Sequence, residues 1–292
     1  MRVSLSGSIV ALVTPFEAGG GAIDEAAWKR LVEWHVTAGT DGIVVAGTTG
    51  ESATLAAAER DWLLESALAT ANGRCKVLAG TGASSTEVTV LQSRRAAALG
   101  ADAVLVVAPY YNRPPQRGLA AHYQATAEAS EAPVILYNVP SRTGIDIEPE
   151  TALALAKHAN IVAVKEAVAD MDRVARYADA GFDVLSGDDP SALEAMRHGA
   201  RGVISVAANL VPAAMARMCR LAVSGEFDAA AGVDTSMRPL YQFLGAESNP
   251  IPAKWLLSAS GRIGADLRLP LVELEESHHA DGRRLLESLE TE

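Results

Sequence analysis

The sequence predicts an α/β protein, a (β/α)8 TIM barrel with a small C-terminal helical domain. Three observations lead there. Eight short β-branched runs recur between Ser8 and Val206, each apolar at nearly every position. Such runs belong to strands covered on both faces. Helical patterns fill the intervals between them. After about Val223 the alternation stops and only helical pattern remains. Eight rounds of strand and helix suggest a closed barrel. An open doubly wound sheet is the alternative, but no GxGxxG follows the first strand. The predicted division is 1–224 for the barrel and 225–292 for the helical extension.

The strands are read in order as "SIVALV" from Ser8, "GIVVAG" from Gly42, "CKVLAG" from Cys75 and "AVLVVA" from Ala103. They continue as "PVILYN" from Pro133, "IVAVKE" from Ile161, "FDVLSG" from Phe182 and "RGVISV" from Arg201. Between them, Asp24 and Ser85 stand as N-caps, with Gly39 and Gly100 closing the same two helices. In the extension, helices are expected over 226–244, 250–260 and 281–289. Asn249 reads as an N-cap with Pro250 at the first helical position.

Bulk composition narrows the function. Hydrophobic residues are 49% and charged residues 21% of the 292, enough for a large core and against general disorder. The net charge of -11 argues against a nucleic-acid surface. Two distant cysteines, six mostly scattered histidines and no HExxH give no metal-ligand spacing. The N-terminal apolar run is too short for a signal peptide, and no run suits a membrane span. The expectation is a cytoplasmic protein without metal or cofactor, binding neither membrane nor nucleic acid.

Barrel active sites sit at the C-terminal ends of the strands. Those ends read Thr14, "GTTGE" (Gly47 to Glu51), "GTG" (Gly80 to Gly82) and "PYYN" (Pro109 to Asn112). The remaining four are Tyr137-Asn138, Lys165-Glu166, "SGDD" (Ser186 to Asp189) and Ser205. Hydroxyls, glycines and one lysine therefore share a face. Aromatic residues are 5% of the chain, so three tyrosines on that face call for a reason. Rim packing or a subunit contact is one.

Lys165 is the focus. An apolar run rarely ends in a lysine unless the strand reaches solvent there. At a barrel mouth the same lysine is partly desolvated instead, and desolvation disfavours the ammonium. An ordinary lysine, pKa about 10.4, is neutral in only about one molecule in 2,500 at pH 7. A neutral amine attacks a carbonyl and forms a Schiff base. The iminium then draws electrons from the adjacent carbon. A tyrosine relayed through a threonine can carry the protons, the candidates being Tyr137, Tyr110 or Tyr111, with Thr48 or Thr49. The open backbone of "GTTGE" could hold a carboxylate, or be an ordinary loop. The Arg142 fork suits a second carboxylate, or a solvated ion pair.

Seven segments now carry a resemblance. They are "GTTGESATL", "PYYNRP", "YNVPSRTG", "KEA", "SGDD", "GVISV" and "NPIP", in this order over nearly the whole chain. Together they resemble the 4-hydroxy-tetrahydrodipicolinate synthase, or dihydrodipicolinate synthase, family. The resemblance implies condensation of pyruvate with L-aspartate 4-semialdehyde, on the route to diaminopimelate and lysine. It implies that Lys165 forms the Schiff base and that Tyr137 donates and accepts the proton. Thr48 and Tyr111 would complete the relay, Tyr111 from a neighbouring subunit of a homotetramer built as a dimer of dimers. Thr49 would contact the pyruvate carboxylate and the Ile204 carbonyl would face pyruvate. Gly187 would belong to the substrate-binding residues, and Arg142 would receive the semialdehyde's carboxylate.

One departure stands out. Lysine-inhibited members carry His, Asn and Glu where this chain aligns Ala57, Ser84 and Val88, and often a further His where it has Arg60. Glu87 lies one residue from the acid position. Weak or absent inhibition by lysine is expected. Sister pyruvate-dependent aldolases, acting on N-acetylneuraminate or 2-keto-3-deoxy sugar acids, would share Lys165 and Tyr137 but not the Arg142 clamp. A catalytically silent keto-acid-binding paralogue is the alternative of another class.

Overall fold

The computed structural model describes residues 5–289. Residues 1–4 and 290–292, at the outer limits of the two predicted units, lie outside the described residues. Eight parallel strands close a barrel in chain order. They are β1 (Gly7–Ala11), β2 (Gly42–Val45), β3 (Lys76–Gly80) and β4 (Ala103–Val107). The rest are β5 (Val134–Asn138), β6 (Ile161–Glu166), β7 (Asp183–Ser186) and β8 (Gly202–Ser205), with β8 pairing back onto β1.

Side chains alternate across a strand. One set, including Ile9, Leu78, Leu105, Ile135, Ala163 and Leu185, packs as the inner core of the barrel. The other, including Val10, Val104, Leu136, Val164 and Val184, packs under the helices. Two apolar faces per strand explain the near-continuous runs. The alternation also sorts the polar strand ends. Tyr137 follows Ile135 inward and Lys165 follows Ala163 inward, while Asn138 and Glu166 turn outward.

The helices obey their caps. Helix Glu25–Ala38 starts where the Asp24 carboxylate accepts from the Ala27 N–H at 2.9 Å, and ends on Gly39 at φ 84. Helix Thr86–Leu99 runs from Ser85 to Gly100 in the same way. The reading of Asn249 is corrected. Helix Ile251–Ala259 starts with Pro250 at the cap position. The Asn249 amide reaches Thr49 Oγ1 instead, donating at 2.9 Å. A tertiary partner outcompetes the local cap.

Helix Phe227–Leu244 packs on the last barrel helix, Pro212–Val223. The Ile251–Ala259 helix is buried from Ile251 to Leu257. It is pinned to the barrel by Lys254, whose Nζ lies 2.6 Å from Glu51 Oε1. The other Glu51 oxygen accepts from the Arg268 N–H at 3.0 Å. Glu51 closes the "GTTGE" turn after β2, so this buried pair holds Asn249 over the barrel mouth. Among the described residues no helix is long and apolar enough to cross a membrane.

Candidate active site

The site grows from two strand ends. Tyr137 and Lys165 are register partners across β5 and β6, both pointing into the barrel. The Lys165 Nζ sits 4.3 Å from the centre of the Tyr137 ring. Lys165 is only 5% exposed. Its amine has no ion-pair partner among the described residues. It therefore faces a cavity of about 220 Å³ without a protein counter-ion. A Cβ on Gly187 would lie 2.9 Å from Lys165 Cε, so glycine there leaves the lysine stem its room.

Thr48, Thr49, Gly187 and Arg142 line the same cavity. The "GTTGE" turn uses the N–H groups of Gly50, Glu51 and Ser52 within itself, on the carbonyls of Gly47 and Thr48. The N–H groups of Thr48 and Thr49 face no acceptor among the described residues. Such a pair of free backbone donors is suited to an anion. Arg142 rides on a single helical turn, Pro140–Thr143, and is largely exposed. Its Nη2 donates to the Asn249 carbonyl at 3.3 Å.

Six of the expected residues thus meet at one cavity: Lys165, Tyr137, Thr48, Thr49, Arg142 and Gly187. Two stand apart from it. Ile204 lies in β8 with its side chain in the inner core, and Val206 lines the cavity instead. Tyr111 is 93% exposed and outside the cavity of the single chain, on a backbone with φ 74.

Sequence reading missed two features. Asn249 lines the cavity and joins Thr49 to Arg142. Its cap-like position before proline masked that role. Behind the strands, Asn138, Glu166 and Arg173 form a buried polar cluster that reaches the half-buried Asp146. The period of two carried the signal, since Asn138 and Glu166 each follow an inward-facing site residue. Burial is the largest influence on Glu166 and pushes it up to about 7, against the pull of the Val168 N–H, Arg173 and Asn138.

Ala57 and Arg60 line a second cavity of about 390 Å³, beside Leu91, Gln92 and Arg95. The Arg60 guanidinium donates there to the Ser52 and Gly80 carbonyls and to Gln92. Among the described residues, Glu247, Glu275 and His278 bring ligand-type atoms within 4.8 Å of one another. None of the three lines the Lys165 cavity.

The comparisons agree with this geometry. Residues 4–289 match the profile of the dihydrodipicolinate synthetase family. A 4-hydroxy-tetrahydrodipicolinate synthase of Stenotrophomonas maltophilia (strain K279a) is 52% identical over 281 residues, 95% of this chain and 94% of the relative. One of Acidithiobacillus ferrooxidans (strain ATCC 53993 / BNL-5-31) is 50% identical over 286 residues, 97% of each chain. The chloride-inhibited dihydrodipicolinate synthase from Acinetobacter baumannii, solved with pyruvate, superposes with a TM-score of 0.96. It is 44% identical, over 98% of this chain and 99% of that one. The chain belongs to the dihydrodipicolinate synthetase family.

Proposed function

We propose that the protein condenses pyruvate with L-aspartate 4-semialdehyde through a Schiff base on Lys165, giving 4-hydroxy-tetrahydrodipicolinate for lysine and diaminopimelate synthesis. One observation carries the reading. A buried amine with no counter-ion among the described residues faces a cavity that also holds the Tyr137 phenol and the Arg142 guanidinium.

The chemistry follows from those groups. The Lys165 Nζ attacks the keto carbon of pyruvate, and the carbinolamine loses water to give the iminium. A methyl proton then leaves and the enamine forms. Its carbon attacks the aldehyde of the second substrate, and the amino group of that substrate then adds to the iminium carbon, closes the ring and expels the Lys165 amine. Protons pass through the Tyr137 hydroxyl, with Thr48 next in the relay. The free N–H groups of Thr48 and Thr49, with the Thr49 hydroxyl, receive the pyruvate carboxylate. Gly187 borders the bound keto acid, and the Ile204 carbonyl, two residues before the cavity-lining Val206, faces it from β8. Arg142 takes the semialdehyde's carboxylate as a charge-assisted pair.

Tyr111 completes the relay from a second copy in a homotetramer made of two dimers. Its support is an apolar patch. Leu91 is 68% exposed, and Val88 and Tyr110 are also exposed. Asn112 Nδ2 donates to the Ser84 carbonyl at 2.8 Å, which joins the tyrosine loop to the start of helix Thr86–Leu99. Exposed patches of this kind mark subunit contacts. We assign the enzyme to the cytoplasm on the same reading.

Intact-mass measurement after pyruvate and borohydride, followed by a coupled assay with aspartate semialdehyde, tests the function. The expected result is one reduced adduct per chain and turnover only with both substrates. Cleavage of N-acetylneuraminate in place of condensation would assign the chain to a sister activity. An adduct without turnover on any partner would leave only a keto-acid-binding protein.

A further inference from the structure

The reacting pair has a polar counterpart on the outside of the barrel. Asn138 and Glu166 follow Tyr137 and Lys165 in the chain and are themselves register partners. Asn138 Nδ2 donates to both Glu166 carboxylate oxygens, at 2.9 and 3.1 Å. The Val168 N–H donates to Glu166 Oε1 at 2.9 Å, and Arg173 Nη1 to Oε2 at 3.3 Å. Arg173 also grips Asp146 with both ends of its fork, at 2.8 and 2.6 Å. Asn138 returns to the same loop, donating to Asp146 Oδ1 at 2.6 Å and accepting from the Ile147 N–H at 2.9 Å.

We propose that Glu166, Asn138, Asp146 and Arg173 form a positioning network that holds Lys165 and Tyr137 in reacting register and fixes the 139–147 loop carrying Arg142. It rests on the Schiff-base reading of Lys165. The backbone makes the coupling direct. A shift of Glu166 or Asn138 moves the neighbouring α-carbon, and with it a group on the inner face. The loop is closed at both ends by one side chain, since Asn138 both precedes it and binds Asp146 and Ile147. Arg173 brings in helix Met171–Asp179, whose own start is capped by Asp170.

All these partners donate to Glu166, so the network needs its carboxylate ionised. A protonated oxygen would set one donor against another. The groups that face it are Asn138, Arg173, the Val168 N–H, Asp146 through Arg173, and the Tyr177 hydroxyl. That hydroxyl is buried and has no hydrogen-bond partner among the described residues. Glu166 ionises as pH rises through about 7. The rate should therefore rise across the same interval.

The test uses the full-length enzyme. Glu166→Gln keeps the shape but places an amide where the partners donate. Its kcat should fall by about tenfold to a hundredfold, the scale of a misplaced reacting group. The kcat–pH profile should lose its step near neutrality, and Glu166→Asp should restore it in part. Melting curves track folding. Should Glu166→Gln fail to fold, Asp146→Asn carries the test, and is expected to raise KM for the semialdehyde more than for pyruvate. Wild-type kcat and pH profile in Glu166→Gln, or an unchanged KM pair in Asp146→Asn, would overturn the network. Loss of kcat with the pH step retained would likewise reduce Glu166 to a structural role. Failure of the wild-type enzyme to trap pyruvate strikes the Lys165 reading instead, so the two failures are distinguishable.

Discussion

Two lysines are buried in this molecule, and they lie in similar surroundings. Lys165 Nζ sits 4.3 Å from the centre of the Tyr137 ring, and Lys254 Nζ sits 4.4 Å from that of Phe16. Each is shielded from bulk water. What separates them is the partner. Lys254 is fully buried, with Glu51 Oε1 at 2.6 Å. Lys165 has a cavity and no counter-ion among the described residues. Burial pulls Lys254 below the ordinary lysine range, while Glu51 holds it up. A buried amine paired with a carboxylate is a structural pin. One without a carboxylate, open to a ligand, is free to act as a nucleophile.

The largest expected effect separates the pair outright. Lys165→Ala should abolish the borohydride-trapped pyruvate adduct and all turnover while the fold survives. Lys254→Ala should still trap pyruvate in the folded fraction. It should lose stability by about 3–5 kcal/mol, the cost of leaving a buried charge unpaired. Mass spectrometry and denaturant unfolding read the two effects. Equal adduct loss in both variants would erase the distinction.

Next comes the ring beside the free amine. Tyr137→Phe keeps the apolar cover over Lys165 and removes only the hydroxyl. A drop in kcat of about 10²- to 10⁴-fold is expected for a lost proton carrier. An unchanged kcat would take Tyr137 out of the relay.

Arg142 tests whether the cavity sorts its two substrates. Charge-assisted hydrogen bonds contribute roughly 1.5–3 kcal/mol. Arg142→Ala should therefore raise KM for the semialdehyde by about tenfold to a hundredfold, at about 1.4 kcal/mol per factor of ten. The KM for pyruvate should move less. Equal changes in steady-state kinetics would argue against a selective clamp.

The smallest effect is a non-event. Free L-lysine should leave the rate nearly unchanged. Ala57 and Val88 offer it no side-chain hydrogen bond, and Arg60 is a cation already committed to the Ser52 and Gly80 carbonyls. Half-inhibition at micromolar lysine would contradict this.

Much of the site was legible because the side-chain period of a strand is local. Tyr137 and Lys165 end apolar runs, and the closed barrel brings those ends together. Thr48 and Thr49 lie at the mouth end of another strand, whereas the role of Gly187 came only from the family resemblance. Asn249 was misread because its sequence surroundings fit a helix cap and its true partner, Thr49, lies 200 residues away. The role of Glu166 was not legible because alternation sends it to the face opposite Lys165, where its partner Asn138 comes from another strand.

By itself the sequence determined the barrel, its mouth and the lysine placed there, since periodicity, caps and apolar runs act over a few residues. Only the tertiary structure decided which buried lysine is free. Glu51 and Lys254 are 203 positions apart. Their pairing depends on how the C-terminal helices settle against the "GTTGE" turn, and no local pattern encodes that meeting.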